Sequence, residues 1–113
     1  MRIYESNGGN VYVNAISKLE DGTDVEGHLY QLHAGTSQQP LSFQRGPVLE
    51  VGFNGTTNEA LLAVVIHRIK FLNVKFPCRE NALAITKLEE AKMWLEERTR
   101  GRVARGVEGK LEP

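Results

Sequence analysis

Cysteine is almost missing from this chain: Cys78 is the single one in 113 residues. One thiol cannot form an intramolecular disulfide or a cysteine zinc cluster. Neither charge sign is in surplus. Lys+Arg 14 against Asp+Glu 14 gives a formal net charge of +0. Proteins that coat nucleic acid carry an excess of Lys and Arg, so that class is set aside. A small anion needs only a local cluster and stays open. Long apolar runs are also lacking. The longest, near Ala60–Ile66, falls well short of the roughly 20 residues that span a bilayer. The opening MRIYESNGGN has no apolar segment of the signal-peptide kind, and a cytoplasmic protein is expected. The nucleotide signatures G-x-x-x-x-G-K and G-x-G-x-x-G do not occur.

What is present is an ordinary globular composition, 41% hydrophobic and 25% charged. The length suits one domain with a modest core, so self-association is expected. The pattern changes character near Gly55. Before it come short β-like runs: Arg2–Tyr4, then Val11–Ile16 after the turn Ser6-Asn7-Gly8-Gly9, with Val25–Leu32 after Asp21-Gly22 reading as another strand or a loop edge. Ala34–Pro40 reads as a loop. Leu41–Gln44 and Val48–Phe53 read as a strand pair joined by Arg45-Gly46-Pro47.

After Gly55 the period becomes helical. Thr56 and Glu59 have capping-box spacing. The helix that follows is apolar around most of its circumference, which predicts burial on several sides, partly by another subunit. Asn73–Phe76 reads as a connection and Pro77 as the first position of a second helix. A short link between two helices predicts an antiparallel hairpin. The expected fold is therefore α+β: a small antiparallel β region (1–55), a two-helix hairpin (56–105) and a frayed or extended tail (106–113), forming one compact, homo-oligomeric unit.

Few residues look chemically equipped. Cys78 with His28, His33 and His67 could supply a nucleophile and base, but they form no recognisable motif. The histidines lack metal-ligand spacing, so neither metal nor cofactor is expected. Asn54-Gly55-Thr56-Thr57 can be read as a phosphate cradle at a helix N-terminus or as a turn with its cap. The strongest signal is an arginine cluster. Arg98, Arg102 and Arg105 stand at i, i+4 and i+7 of a continuing helix, with Arg100 between them. Such a cluster is either a solvated helix end, offset by Glu96 and Glu97, or a site for planar phosphate recognition. Phe71 offers a stacking face and Asn81 an amide that pairs with adenine, although plain core packing is the more ordinary reading of Phe71. Met93 and Trp94 read as packing residues.

Four segments carry a resemblance: MRIYESNGGNVYVNAIS, FQRGPVLEVG, NGTTNEALLAVVIHRIKFLN and PCRENALAITKLEEAKMWLEERTRGRVARGVEG. They resemble the phage Thoeris anti-defence sponges over most of the chain, most weakly around Val25–Ser42. The hairpin is also similar to that of the anti-CBASS cyclic-nucleotide sponges. The resemblance implies a protein that is not an enzyme. It would bind and sequester glycocyclic ADP-ribose signals without cleaving them, in the cytoplasm of the infected bacterial host, as a homo-oligomer, often a hexamer. It implies adenine stacking by Phe71, an adenine hydrogen bond from Asn81 and pyrophosphate contacts from Arg98 and Arg102, with Arg79 and Arg105 nearby. For a separate cyclic-trinucleotide pocket it points to Gln44, Arg45, Asn54, Thr56 and Thr57. Two other readings are an enzyme that degrades the same signal and a small nucleic-acid or protein-interaction module.

Overall fold

A computed structural model describes residues 1–110. Four strands, β1 (Arg2–Ser6), β2 (Val11–Lys18), β3 (Asp24–Ala34) and β4 (Ser37–Ser42), form an antiparallel meander in the order β1-β2-β3-β4. Three helices follow: α1 (Val48–Val51), α2 (Asn58–Lys75) and α3 (Arg79–Ala104). The α+β class and the order of sheet then helices agree with the sequence pattern. The chain partitions into two compact units, Met1–Gly46 with Val51–Gly55, and Pro47–Glu50 with Thr56 onward. No helix among the described residues is long and apolar enough to cross a membrane.

Within the sheet unit, turn chemistry sets the register. Asn7, Gly8 and Gly9 all take positive φ in the short 3-10 turn between β1 and β2. Between β2 and β3, the Leu19 and Thr23 backbones bond across the turn, and the Thr23 N–H donates to Asp21 Oδ1 at 2.9 Å. Hydrogen bonds from Thr23, the side chain first and the backbone N–H second, hold the Asp21 carboxyl below its ordinary pKa. A cross-strand ladder results: Tyr12 stacks on His33 at 4.3 Å, and the Arg2 guanidinium lies 3.9 Å from the Tyr12 ring centre.

Two segments depart from the sequence reading. Ala34–Pro40, expected as a loop, is a tight hairpin: Ala34 pairs with Ser37, and Gln31 with Pro40. β4 is an edge strand, where a proline costs no ladder hydrogen bond on its open side. Val48–Phe53, expected as a strand, begins with a single helical turn, Val48–Val51. Gly46 and Gly52 bracket it with φ of 85° and 74°. Gln44 Nε2 donates to both flanking carbonyls, Gly46 O at 3.1 Å and Gly52 O at 2.8 Å.

Within the helical unit, α2 starts one residue later than expected. Thr57 rather than Thr56 is the cap, its hydroxyl accepting from the Ala60 N–H at 3.1 Å. The helix continues through Asn73 to Lys75, so the connection is only Phe76–Cys78. Pro77 does not open α3. It precedes the cap, which is Cys78, whose Sγ accepts from the Asn81 N–H at 3.4 Å. Asn73 Oδ1 accepts from the Cys78 N–H and tightens the reversal. Lys70 and Glu89, 3.1 Å apart, join the helices midway along the hairpin.

The core is thin. Only Val25, Ile66 and Arg102 are buried among the described residues. On the apolar α2, Val64, Val65, Phe71 and Val74 remain exposed, and on α3 so do Leu83, Met93 and Trp94. The sheet is a single layer and the hairpin two helices, so neither unit encloses many side chains.

Candidate functional site

The hairpin separates the candidate residues into two groups. At the closed end are Phe71 in the last turns of α2 and Arg79 and Asn81 in the first turn of α3. Arg98, Arg102 and Arg105 stand at the far end of α3. At 1.5 Å per residue, Asn81 and Arg98 are about 25 Å apart along the helix axis. One chain therefore does not bring the aromatic–amide pair and the arginines onto the same small ligand.

At the closed end, Phe71 is half exposed rather than core-packed, with Lys75 Nζ 4.7 Å from its ring centre. Asn81 is half-buried. Its backbone N–H donates to the Cys78 cap. Arg79 is exposed.

At the far end, the three arginines have different environments. Arg98 is exposed and makes no ion pair among the described residues. Neighbouring Glu97 is engaged by Arg100, whose Nε and Nη2 both reach Glu97 Oε2, at 3.0 and 2.8 Å. Arg105 is exposed, and its Nε donates to Gly101 O at 3.4 Å. Arg102 is buried, at 7% exposure. Its Nε donates to Glu108 at 3.1 Å, and its Nη2 to Val107 O at 2.9 Å and Lys110 O at 3.0 Å. This guanidinium turns the chain back. The segment after α3 is neither frayed nor extended over its described part, 106–110; residues 111–113 of the expected tail lie outside the described residues. Gly109 takes φ 79° and lies against Leu49, where a Cβ would meet the side chain at 2.9 Å. The Leu49 N–H donates to Gly109 O at 3.2 Å.

The second group of candidates, around the FQRGP and NGTT segments, consists largely of backbone staples. Asn54 Oδ1 accepts from the Arg45 N–H at 2.8 Å, and its Nδ2 donates to Arg45 O at 2.7 Å. Gln44 Oε1 accepts from the Asn54 N–H at 3.0 Å. Thr57 caps α2, Thr56 is half-buried beside it, and Arg45 is exposed in its side chain's strand-to-helix loop.

Other polar side chains are dispersed. His33 belongs to the Tyr12 stack, and His67 lines a groove of about 350 Å³ with Ala63, Ile66, Lys70, Glu89 and Lys92. Cys78 is exposed and acts as a helix cap. Two residues read from sequence as packing are exposed instead, Met93 at 47% and Trp94 at 62%.

These elements define an α+β class, an antiparallel meander followed by a helical hairpin with an aromatic–amide tip and an arginine-bearing end. A family profile described as Acb2/Tad1, hairpin domain, matches residues 39–100, and the chain belongs to that family. The matched stretch holds Phe71, Arg79, Asn81 and Arg98, while Arg102 and Arg105 lie just beyond it. The chain is also similar to Thoeris anti-defense 1 of Bacillus phage SBSphiJ7, with 61% identity over 70 residues. That match covers 61% of this chain and 49% of the relative, so the chain spans about half the length of the curated protein it matches.

Proposed function

We propose that this protein is a phage anti-defence protein that binds glycocyclic ADP-ribose signals and holds them without cleaving them. The observation that carries the reading is the 61% identity to Thoeris anti-defense 1 over 70 residues. The chemistry of the hairpin supports it. A cyclic ADP-ribose presents one adenine and a pyrophosphate. Phe71 and Asn81 suit the base, and Arg98, with Arg105 one stripe further, suits the phosphates through charge-assisted, fork-shaped hydrogen bonds. Arg102, one turn along, is buried and its charge is offset by Glu108.

The 25 Å between these groups requires a second copy. Two hairpins lying antiparallel would bring the Phe71–Asn81 tip of one onto the Arg98 end of the other. Capture at nanomolar signal needs about 12 kcal/mol, a demand better met by an enclosed composite pocket than by one exposed helix face.

The test mixes the protein with glycocyclic ADP-ribose, measures depletion from solution, and then heats the protein to recover the ligand. Stoichiometric depletion and unchanged ligand are expected. A new product would establish a degrading enzyme instead. Phe71→Ala and Arg98→Ala should each abolish capture, and capture surviving both would overturn the site. Cyclic trinucleotides belong in the same assay as a separate ligand class.

A further inference from the structure

Trp94 stands on an unusual strip of α3. Residues 94, 98, 101 and 105 recur at the i, i+4, i+7, i+11 spacing that keeps side chains in line on one helix face. In this chain they are Trp94, Arg98, Gly101 and Arg105. Trp94, the single aromatic residue of α3, leaves 62% of its surface in solvent. A ring of that size left in solvent offers a wide apolar face on which a flat partner can stack. Gly101, one turn past Arg98, meets nothing within 4 Å of where a Cβ would stand. The strip therefore has an indole platform, an unpaired guanidinium one turn along, and open space at the next turn.

We infer that Trp94 stacks on the nucleobase of the ligand whose phosphates Arg98 holds, making it a further binding and specificity residue. This rests on the proposed function. Trp94 and Arg98 are about 6 Å apart along the axis, a separation that the sugar between a base and its phosphate can bridge. In an antiparallel pair of copies, the two faces of one adenine would meet Phe71 of one chain and Trp94 of the other. A base clamped between two rings is selected over a ligand that has phosphates and no base. Glu97, the carboxylate best placed to repel phosphate here, is neutralised by Arg100.

Because Trp94 is the only tryptophan in the chain, its fluorescence reports this position directly. The full chain is titrated with glycocyclic ADP-ribose while depletion is measured in parallel, and its oligomeric state is followed by size-exclusion chromatography with light scattering. Saturable quenching over the same concentration range as depletion is expected. Trp94→Ala should weaken capture about 10-fold or more, as loss of a base–aromatic stack does, while Trp94→Phe should stay within about 3-fold. Ribose-linked pyrophosphate lacking a base should neither quench nor bind. Depletion with unchanged fluorescence, and unchanged capture by Trp94→Ala, would overturn the Trp94 assignment and leave the proposed function standing. Fluorescence that follows protein concentration and ignores ligand would overturn it too, making Trp94 part of a contact between copies. If the parent protein depletes no glycocyclic ADP-ribose, the functional reading fails first and the assignment with it. Should Trp94→Ala misfold, the quench and Trp94→Phe still decide.

Discussion

Replacing Arg102 should release the chain's C-terminal turn before it affects anything else. The side chain is 8% exposed, and its hydrogen bonds among the described residues include those to Glu108, Val107 O and Lys110 O. A charged donor's hydrogen bond contributes about 1.5–3 kcal/mol where the partner is dry. These partners are partly wet: the Glu108 side chain is 44% exposed and Lys110 is exposed, so its bonds are discounted toward the value of surface pairs, about 0–1 kcal/mol. The sum for Arg102→Ala comes to about 2–3 kcal/mol, concentrated in residues 106–110. Arg102→Lys keeps the charge but not the fork, and should lose most of that amount. Glu108→Gln keeps an acceptor and should lose about 1 kcal/mol or less. Amide hydrogen exchange reads the effect residue by residue. The Val107 N–H, held by Arg102 O, and the Lys110 N–H, held by Val107 O, should lose about 30- to 100-fold of their protection in Arg102→Ala, while the α2–α3 interior changes little. If both amides keep their protection and only ligand capture falls, Arg102 is a ligand contact and not a clasp.

Three further outcomes follow from other parts of the chain. Asn54→Ala or Gln44→Ala removes two or three bonds to backbone from the strand-to-helix loop and should cost about 1–3 kcal/mol in urea unfolding; the double variant should cost less than the sum of the singles, because the two share a network. Gly55→Ala would drive a methyl against the Phe43 carbonyl and to 2.8 Å from Gln44 N, so a loss of about 1–3 kcal/mol is expected, and a neutral midpoint in the same measurement would contradict that packing. Asp21 carries a carboxyl pKa lowered by Thr23, so its turn is supported above the unfolded value of about 3.9 and loosens as pH falls through the lower folded value; the Thr23 amide shift should titrate below that point and become flat in Asp21→Asn, and a titration at or above it would contradict the assignment.

The hairpin was legible because its signals are local. Helical periodicity, a threonine cap and Pro77 near the reversal lie within a few residues of what they control, and each was displaced by only one or two positions. β4 was hidden by composition: Gly35, serine, glutamine and Pro40 read as loop, and only an edge position reconciles the proline with a strand. The α1 turn was hidden because Val48, Leu49 and Val51 favour strands, while the side chain that holds the turn, Gln44, acts from outside the segment. The arginine cluster was visible as a cluster, but its division was not. Arg98 and Arg102 differ by a small rotation on an ideal helix, and their environments diverge because residues 107–110 fold over one of them. Trp94 was misjudged since hydrophobicity says a side chain favours burial, not which chain will provide it.

Under the proposed function the thin core and the divided site have one common remedy, the pairing of copies, and capture would then depend on assembly. The sheet unit carries three Lys and Arg against five Asp and Glu, leaving the cationic excess to the helical unit. Overall neutrality thus conceals a helical surface suited to anions, and bringing two such surfaces together without an anion would be opposed by like charges. A bound pyrophosphate between Arg98 of one copy and Phe71 of another would offset that repulsion, and apolar residues such as Val64, Val74 and Leu83 would be covered in the same step. Ligand that binds only the assembled form stabilises it by mass action, about 2.7 kcal/mol at a hundred times its Kd. The dissociation constant of the assembly should therefore fall by about 100-fold for each site filled at that ligand excess, and Arg98→Ala should remove the shift while leaving ligand-free assembly no weaker. An assembly midpoint indifferent to ligand would refute the proposed pocket between copies, which the roughly 25 Å between Asn81 and Arg98 along α3 motivates.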